Sequence, residues 1–242
     1  MGRWVHLAEV IGFVSGKGGM GKTALCATIA GSLAAAGRKV LCIDCHDIWG
    51  DLDAYLGLEG LPHLTYAEVC RGQYPLEKAT THPSLPRLRF LATPASEERV
   101  DAEDFASLLR QARQQFDYIL LDDPQDEMPA DRFCLVVQPN PAAIRGARRK
   151  ADLLEVQGKT NTRLIVNAID SKQMAALDLN VDDVMDGVGL GLLGIVPYDW
   201  NLTAACATGK NLHAITKKGA SAAAMRIAQR IQGIQTAIPN RL

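Results

Sequence analysis

Short, nearly continuous apolar runs alternate with polar turns along this chain, and they predict buried β-strands. A strand that is covered on both faces reads in this way, because both sets of its alternating side chains are buried. The predicted strands are Val10–Val14, Lys39–Asp44, Arg87–Ala92, Asp117–Asp122, Phe133–Gln138, Arg163–Asn167 and Gly191–Val196. The segment Ala79–Pro86 contains Pro83 as well as Pro86 and is predicted to be a loop.

Helical periodicity occupies most of the segments between those runs. Leu25, Ile29 and Leu33 recur at spacings of four, which places them on one face of a helix over Ala24–Ala36. Asp101 is a suitable N-cap for a helix with one apolar face. That face is formed by Phe105, Leu108, Leu109 and Ala112. Other helices are predicted over Leu64–Cys70, over Ala142–Val156 and from Ser221 onwards.

The alternation of strands and helices predicts one α/β domain over residues 1–242, with a doubly wound, mainly parallel sheet and helices on both faces. Ligands of such sheets bind at the carboxyl ends of the strands. The net charge of −1 provides no bulk attraction to nucleic acid or anionic membranes. Six cysteines without framework spacing, no signal peptide and no apolar run near the roughly 20 residues of a membrane span indicate a cytoplasmic protein.

A glycine-rich segment between the first predicted strand and helix, Gly16–Thr23, fits the pattern G-x-x-x-x-G-K-[ST]. The backbone N–H groups of such a loop wrap a phosphate chain, and the helix N-terminus that follows favours anions. Lys22 is expected to reach the outer phosphates, and the Thr23 hydroxyl to ligate Mg²⁺. The predicted nucleotide contacts from this segment are Gly18, Gly19, Met20, Gly21, Lys22, Thr23 and Ala24. The loop thus predicts a nucleotide site of the P-loop NTPase class, with Mg²⁺ as a cofactor.

The loop contains a second lysine, Lys17, directly after its first glycine. The string Lys-Gly-Gly-x-Gly-Lys-Thr resembles the deviant P-loop of the MinD/ParA family, dimerising ATPases that position cellular machinery in bacteria. This resemblance implies that Lys17 reaches across a two-fold interface to the nucleotide of the partner. The plain alternative is an exposed lysine on a loop.

The residues after the second predicted strand resemble the first switch of that family. Asp44 falls on its first aspartate, which the resemblance places beside Mg²⁺, and Leu52–Asp53 on a later conserved pair of its pattern. His46 stands where the family has the aspartate that orients the attacking water. This departure predicts slow hydrolysis, and a displaced role for Asp47, one residue on, stays open.

Asp122, at the end of an apolar strand, is the expected second aspartate on the Mg²⁺ side. With Asp123 and Pro124 it matches the Asp-x-Pro second switch of the family. About ten residues then lead to Phe133, where the family has a helix and where parallel strands usually need about a dozen residues or more. We therefore expect a short, irregular connection.

Two further matches concern cofactor binding. Asn167 ends a predicted strand at the position that holds adenine in MinD-like proteins. Pro197 and Asp199 resemble the Pro-x-Asp turn of the family, which is followed by a helix. The resemblance implies that all three residues bind the cofactor.

Four cations lie close together on one predicted helix and could bind DNA phosphates, as in the ParA branch. They are Arg145, Arg148, Arg149 and Lys150. A solvated helix face is the favoured interpretation, because the net charge is near zero.

The predicted C-terminal helix has a stripe of isoleucines at Ile227, Ile231, Ile234 and Ile238. It could bind a membrane, but packing against the core is favoured, since MinD proteins use a separate basic tail that this sequence does not show.

Cys42 and Cys45 have the C-x-x-C spacing of redox or metal sites. On an extended strand, residues three apart face opposite ways, about 10 Å from each other. Buried structural cysteines are therefore expected.

Together these features predict an ATP-dependent dimerisation switch for subcellular positioning of a division site, pilus or flagellum. The expected partners are a second copy of the chain, with ATP, and a protein of a positioning system, without strong binding to nucleic acid or membrane. Two alternatives remain at this point: a degenerate scaffold that binds ATP without hydrolysing it, favoured by His46 and the short connection, and a metal-cofactor maturation ATPase, supported by Cys42 and Cys45 alone.

Overall fold

A computed structural model describes residues 7–46, 50–95, 100–207 and 216–238 of the chain. Its eight strands are β1 (Glu9–Ser15), β2 (Val40–Asp44), β3 (Thr80–His82), β4 (Leu85–Leu91), β5 (Tyr118–Asp122), β6 (Arg132–Val137), β7 (Thr162–Ile169) and β8 (Leu192–Pro197). Its helices are α1 (Lys22–Ala35), α2 (Leu52–Leu56), α3 (Tyr66–Cys70), α4 (Ala102–Ala112), α5 (Pro141–Val156), α6 (Ser171–Ala176), α7 (Val181–Val188), α8 (Trp200–Ala207) and α9 (Gly219–Ile231).

The strands form one sheet in the order β3-β4-β2-β5-β1-β6-β7-β8. Of the described strand pairs, β3–β4 alone is antiparallel. Alternate residues of β1 face opposite cores: Ile11 and Phe13 pack with α1 and α9, whereas Val10 packs with α4 and Val14 with α5. The predicted doubly wound, mainly parallel α/β fold is confirmed. No helix in the described ranges is long and apolar enough to cross a membrane.

The connection from β5 to β6 is as short and irregular as expected. It runs back past β1, where the backbone N–H of Asp123 donates to Phe13 O at 3.0 Å and that of Asp131 donates to Val10 O at 2.8 Å. Met128 is buried and packs among the residues on the α4 side of the sheet. A crossover helix is unnecessary here because β5 and β6 both flank β1, so the connection crosses a single strand.

Two predictions about the elements are wrong. The segment Ala79–Pro86 is not a loop, because it contains β3 and the first residues of β4, which pair antiparallel at the sheet edge. The four isoleucines do not form one helical stripe either. Helix α9 ends at Ile231, and Gly233 with φ of 78° turns the chain, so Ile234 and Ile238 lie outside the helix. Ile227 and Ile231 are buried in the core, as the packing interpretation requires.

Candidate nucleotide site

The predicted phosphate loop connects the carboxyl end of β1 to the first turn of α1. Gly19 and Gly21 have φ of 75° and 88°, a left-handed conformation that favours glycine. Gly21 is the N-cap of α1, and within the described residues no side chain caps this helix and no acidic residue occupies its first turn. The unpaired N–H groups of a buried helix therefore face the space above the loop, which is the arrangement that binds anions.

Side chains from the other half of the sheet hold the loop. The Gln138 amide donates to Gly19 O at 3.1 Å, and the Asn167 amide donates to Met20 O at 2.9 Å. A Cβ atom at Gly21 would collide with the Asn167 amide nitrogen. Sequence reasoning missed Gln138, although its place at the end of β6 was a usable signal, because that edge of the sheet carries the ligand site.

The three predicted metal ligands lie together. Asp44 and Asp122 are directly opposite each other in the β2–β5 register, and the Thr23 hydroxyl hydrogen bonds to Asp122. Burial raises the pKa of Asp122 to about 7, although the Thr23 hydrogen bond lowers it. Burial also raises the pKa of Asp44 to about 6, against hydrogen bonds from the backbone N–H groups of His46 and Leu52. Two buried carboxylates thus lie side by side at the carboxyl end of the sheet.

These residues fit Mg²⁺. Asp122 Oδ1 is buried and has no hydrogen-bond partner among the described residues, so one acceptor is left for a metal ion or its water. Mg²⁺ is commonly held by one or two carboxylates, with substrate phosphates and waters completing the octahedron. Within the described parts of the chain, no group of three or more His, Cys, Asp or Glu side chains could hold a metal ion by itself.

Lys22 and His46 both approach one carboxylate that the sequence analysis assigned no role. Asp123 Oδ2 lies 3.3 Å from Lys22 Nζ and 3.9 Å from His46 Nε2. His46 itself is held by its backbone, whose N–H donates to Asp44 Oδ1 at 3.1 Å and whose carbonyl accepts from Thr93 Oγ1 at 2.7 Å. The alternative residue Asp47 lies outside the described residues.

Lys17 differs from Lys22 in its surroundings. The Lys22 side chain is 12% exposed, whereas Lys17 is an exposed residue at the rim of the loop. Lys17 lines an open cavity of about 490 Å³ between the loop and α5. The cations that share this cavity with it are Arg145, Arg149 and Lys150.

The cationic cluster on α5 is largely a solvated face, as expected. Arg145, Arg148 and Arg149 are exposed. Two of the four cations are paired: Arg148 lies 3.0 Å from Asp152, and Lys150 lies 3.0 Å from Asp126.

The other residues predicted to bind the cofactor lie near the carboxyl ends of β7 and β8. Strand β7 continues past Asn167, the predicted end, to Ile169. Asn167 is 5% exposed, and its Oδ1 has no hydrogen-bond partner among the described residues, so it can accept from a nucleotide base. Pro197 pairs with Ile169 beside it. Asp199 is occupied within the fold, because its carboxylate accepts from the backbone N–H groups of Asn201 at 2.9 Å and Ala220 at 2.9 Å. Its part in nucleotide binding stays a prediction.

Cys42 and Cys45 are buried on opposite sides of the sheet. Cys42 packs with α1, and Cys45 packs on the α4 side. This geometry gives no support to a shared metal or a disulfide between them.

Comparison with known proteins identifies relatives over nearly the whole chain. The family model CobQ/CobB/MinD/ParA nucleotide binding domain matches residues 11–212. The septum site-determining protein MinD of Synechocystis sp. is 32% identical and aligns with 93% of this chain and 90% of its own length. MinD of Bacillus subtilis is 30% identical over 94% and 90% of the two chains.

Solved structures agree. A chain of the MinC:MinD cell division complex of Aquifex aeolicus superposes with a TM-score of 0.88, 32% identity and coverage of 96% of this chain and 99% of that one. The MinD protein of Pyrococcus horikoshii, solved with Mg-ADP, shares the fold with a TM-score of 0.78 at 20% identity, covering 93% and 96% of the two chains. The chain therefore belongs to the CobQ/CobB/MinD/ParA family of nucleotide-binding domains.

Proposed function

We propose that this protein is an ATP-dependent dimerisation switch that acts in division-site positioning. The observation that carries the proposal is the difference in surroundings between the two lysines of the loop. The Lys22 side chain is 12% exposed and lies 3.3 Å from Asp123, the neighbour of buried Asp122, whereas Lys17 is exposed at the rim, where a second protomer can be reached. A loop that serves only its own nucleotide has no use for the second lysine. Relatives named septum site-determining protein MinD support division as the setting.

The residues divide the work of such a switch. The loop N–H groups and Lys22 bind the phosphates, and Asn167 and Pro197 face the base. Thr23, Asp44 and Asp122 would hold Mg²⁺, which neutralises charge on the phosphates when bound. Lys17 contacts the nucleotide of the other protomer. The MinC:MinD complex of Aquifex aeolicus supports a protein partner for the assembled form.

The deciding experiment is the solution mass of the protein with ADP, with ATP and with a non-hydrolysable ATP analogue. We expect monomers with ADP and dimers with the analogue. Lys17→Ala should bind the analogue and stay monomeric. Lys39→Ala is the matched control, because Lys39 is an exposed lysine at the amino end of β2, on the opposite edge of the sheet. An analogue-bound dimer that survives Lys17→Ala in sedimentation would refute the assignment.

A degenerate ATP-binding scaffold is the second candidate, and His46 favours it. A neutral imidazole has one acceptor nitrogen, so it orients a water less well than a carboxylate does. Nucleotide binding without measurable release of phosphate in a turnover assay would support the scaffold over the switch. The structure gives no support to the third candidate, a metal-cofactor maturation ATPase, because Cys42 and Cys45 pack into different cores.

A further inference from the structure

Asp123 adopts a backbone conformation that few residues other than glycine take up. Its φ is 51°, in the left-handed region, where aspartate and asparagine are tolerated better than other side chains. Its N–H bond to Phe13 O and the buried Pro124 that follows fix it there. Glycine would satisfy the same turn without strain. Strained non-glycine residues concentrate at functional sites, so the carboxylate at this position is a candidate for a functional role.

That carboxylate lies between the phosphate loop and the first switch. Its Oδ2 contacts Lys22 Nζ at 3.3 Å on one side and approaches His46 Nε2 at 3.9 Å on the other. The Asp123 side chain is 34% exposed, so water reaches it. Asp123 therefore lies beside Lys22, next to the space where the outer phosphates of a nucleotide are expected.

Phosphate oxygens and Asp123 compete for the same ammonium group. A nucleotide that draws Lys22 to its phosphates takes away the cation that balances Asp123. The backbone bond to Phe13 keeps the residue in place, so its carboxylate stays beside the terminal phosphate, with His46 as the neighbouring donor. A carboxylate in that place can accept a hydrogen bond from water, which is the role that position 46 lacks in this chain.

We propose that Asp123 is a catalytic carboxylate that orients the attacking water in ATP hydrolysis. The proposal rests on the ATP-dependent switch proposed above. The water oxygen forms a bond to the γ-phosphorus while the bond from that phosphorus to the β–γ bridging oxygen breaks, and its electron pair leaves with ADP. The proton released from water goes to solvent. Lys22 thus pairs with Asp123 when no nucleotide is bound and with phosphate when nucleotide is bound.

This arrangement predicts two effects of opposite direction. Removing the carboxylate frees Lys22, so nucleotide should bind more tightly. The same change removes the acceptor for water, so hydrolysis should slow. A merely structural Asp123 would lower affinity and rate together, or leave both unchanged.

The test compares Asp123→Asn, which keeps the side-chain shape, with Asp123→Gly, which relieves the backbone strain and folds most readily. In calorimetry, both variants should bind Mg·ADP more tightly than the parent by about threefold or more. This factor corresponds to the free energy of a partly exposed ion pair. Single-turnover hydrolysis of saturating ATP should slow by at least about tenfold. Asp126→Asn is the matched control, because Asp126 lies on the same connection but pairs with Lys150. It should change neither quantity.

The outcomes separate this inference from the proposed function. A parent protein that does not bind Mg·ADP would overturn the proposed function and this inference with it. A parent that binds nucleotide but does not hydrolyse ATP would overturn the inference and would favour the scaffold over the switch. Variants that hydrolyse ATP at the parental rate, beside a parent that binds and hydrolyses it, would overturn the inference alone. Weaker binding in both variants would do the same, since it would assign Asp123 a structural role.

Discussion

Gly16 and Gly146 bring the phosphate loop and α5 into backbone contact. A Cβ atom on Gly16 would collide with the carbonyl group of Gly146, whereas a Cβ atom on Gly146 would meet Gly16 O at 3.1 Å and Lys17 Cγ at 3.1 Å. The loop that is predicted to bind phosphate and the helix that carries the cationic face are therefore fixed to each other at this point.

The first prediction concerns this contact. Gly16→Ala should lower the free energy of unfolding by about 1 to 3 kcal/mol, because the colliding atoms are backbone atoms that cannot rotate away. Gly18→Ala is the control for folding, since a Cβ atom at Gly18 has open space within 4 Å. Denaturant unfolding measures both. Equal stability of the two variants would show that α5 can move away from the loop at little cost.

The second prediction tests the phosphate site. Lys22→Ala should weaken binding of Mg·ATP by at least about tenfold, since a charged hydrogen bond contributes about 1.5 to 3 kcal/mol. Thermal unfolding offers a second readout, because a ligand that binds only the native state raises the melting temperature. Lys39→Ala is the control at the far edge of the sheet. If Lys22→Ala binds Mg·ATP in calorimetry as tightly as the parent does, the assignment of the loop to the nucleotide site is wrong.

The loop and the strand ends were predictable from sequence because both are local signals. The spacing of the glycines identifies the loop Gly16–Thr23. The apolar run that ends before Asp122 places this residue at the carboxyl end of a strand. Asp123 was already part of the Asp-x-Pro match, but its contact with Lys22 depends on how β5 is placed beside β1, which no local pattern specifies. The close backbone approach of Gly16 to Gly146 also joins residues that are far apart in the sequence. No local pattern indicates that these two glycines meet.

The misread elements have physical reasons as well. Prolines at positions 83 and 86 suggested a loop, and Pro83 does lie in the turn between β3 and β4. Pro86 lies near the start of β4, before its pairing with β2 begins at Leu88 and beside a register shift in the β3–β4 pair, where proline is tolerated. The isoleucine spacing continued past the real end of α9 because periodicity does not register Gly233 as a stop.

The third prediction concerns stability against pH and involves His82. This buried side chain donates from Nε2 to Leu56 O at 2.9 Å, and its Nδ1 accepts from the N–H groups of Ser84 and Leu85, both at 3.1 Å. Burial lowers its pKa from 6.5. The unfolded chain therefore binds the proton more readily, so the stabilisation is complete above pH 6.5 and is lost as pH falls through the lower pKa of the folded state.

Denaturant unfolding of the parent protein at a series of pH values measures this loss. His82→Gln keeps a donor and an acceptor but does not titrate, so it should be less stable at neutral pH and should lose less stability between pH 7 and pH 5. His63→Gln is the control, because His63 contacts Thr80 of the same strand β3 at 3.3 Å but faces Asp53 at 3.7 Å. The same pH dependence in His82→Gln as in the parent would assign the effect to another group.

The last prediction concerns turnover. Positioning and electrostatics supply most of the catalysis of phosphoryl transfer. His46→Asp adds a carboxylate where the MinD/ParA pattern has one, and it should raise the rate of ATP hydrolysis by about tenfold or more, which corresponds to about 1.4 kcal/mol of barrier. The new carboxylate can take over the water, so Asp123→Asn should cost less in the His46→Asp background than in the parent. Such non-additivity is expected for residues that share one function.

A complete cycle of the two single variants and the double variant measures that coupling, with single-turnover rates at saturating ATP. Additive effects would mean that the two carboxylates do not act on the same water. A separate outcome concerns the alignment of the first switch: if His46→Asp is no faster than the parent and Asp47→Ala abolishes hydrolysis, Asp47 orients the water and the pattern is displaced by one residue. In that case Asp123 would still compete for Lys22, because its contact does not depend on which residue of the switch faces the phosphate. The affinity measurements would then keep their predicted direction while the rate measurements would not.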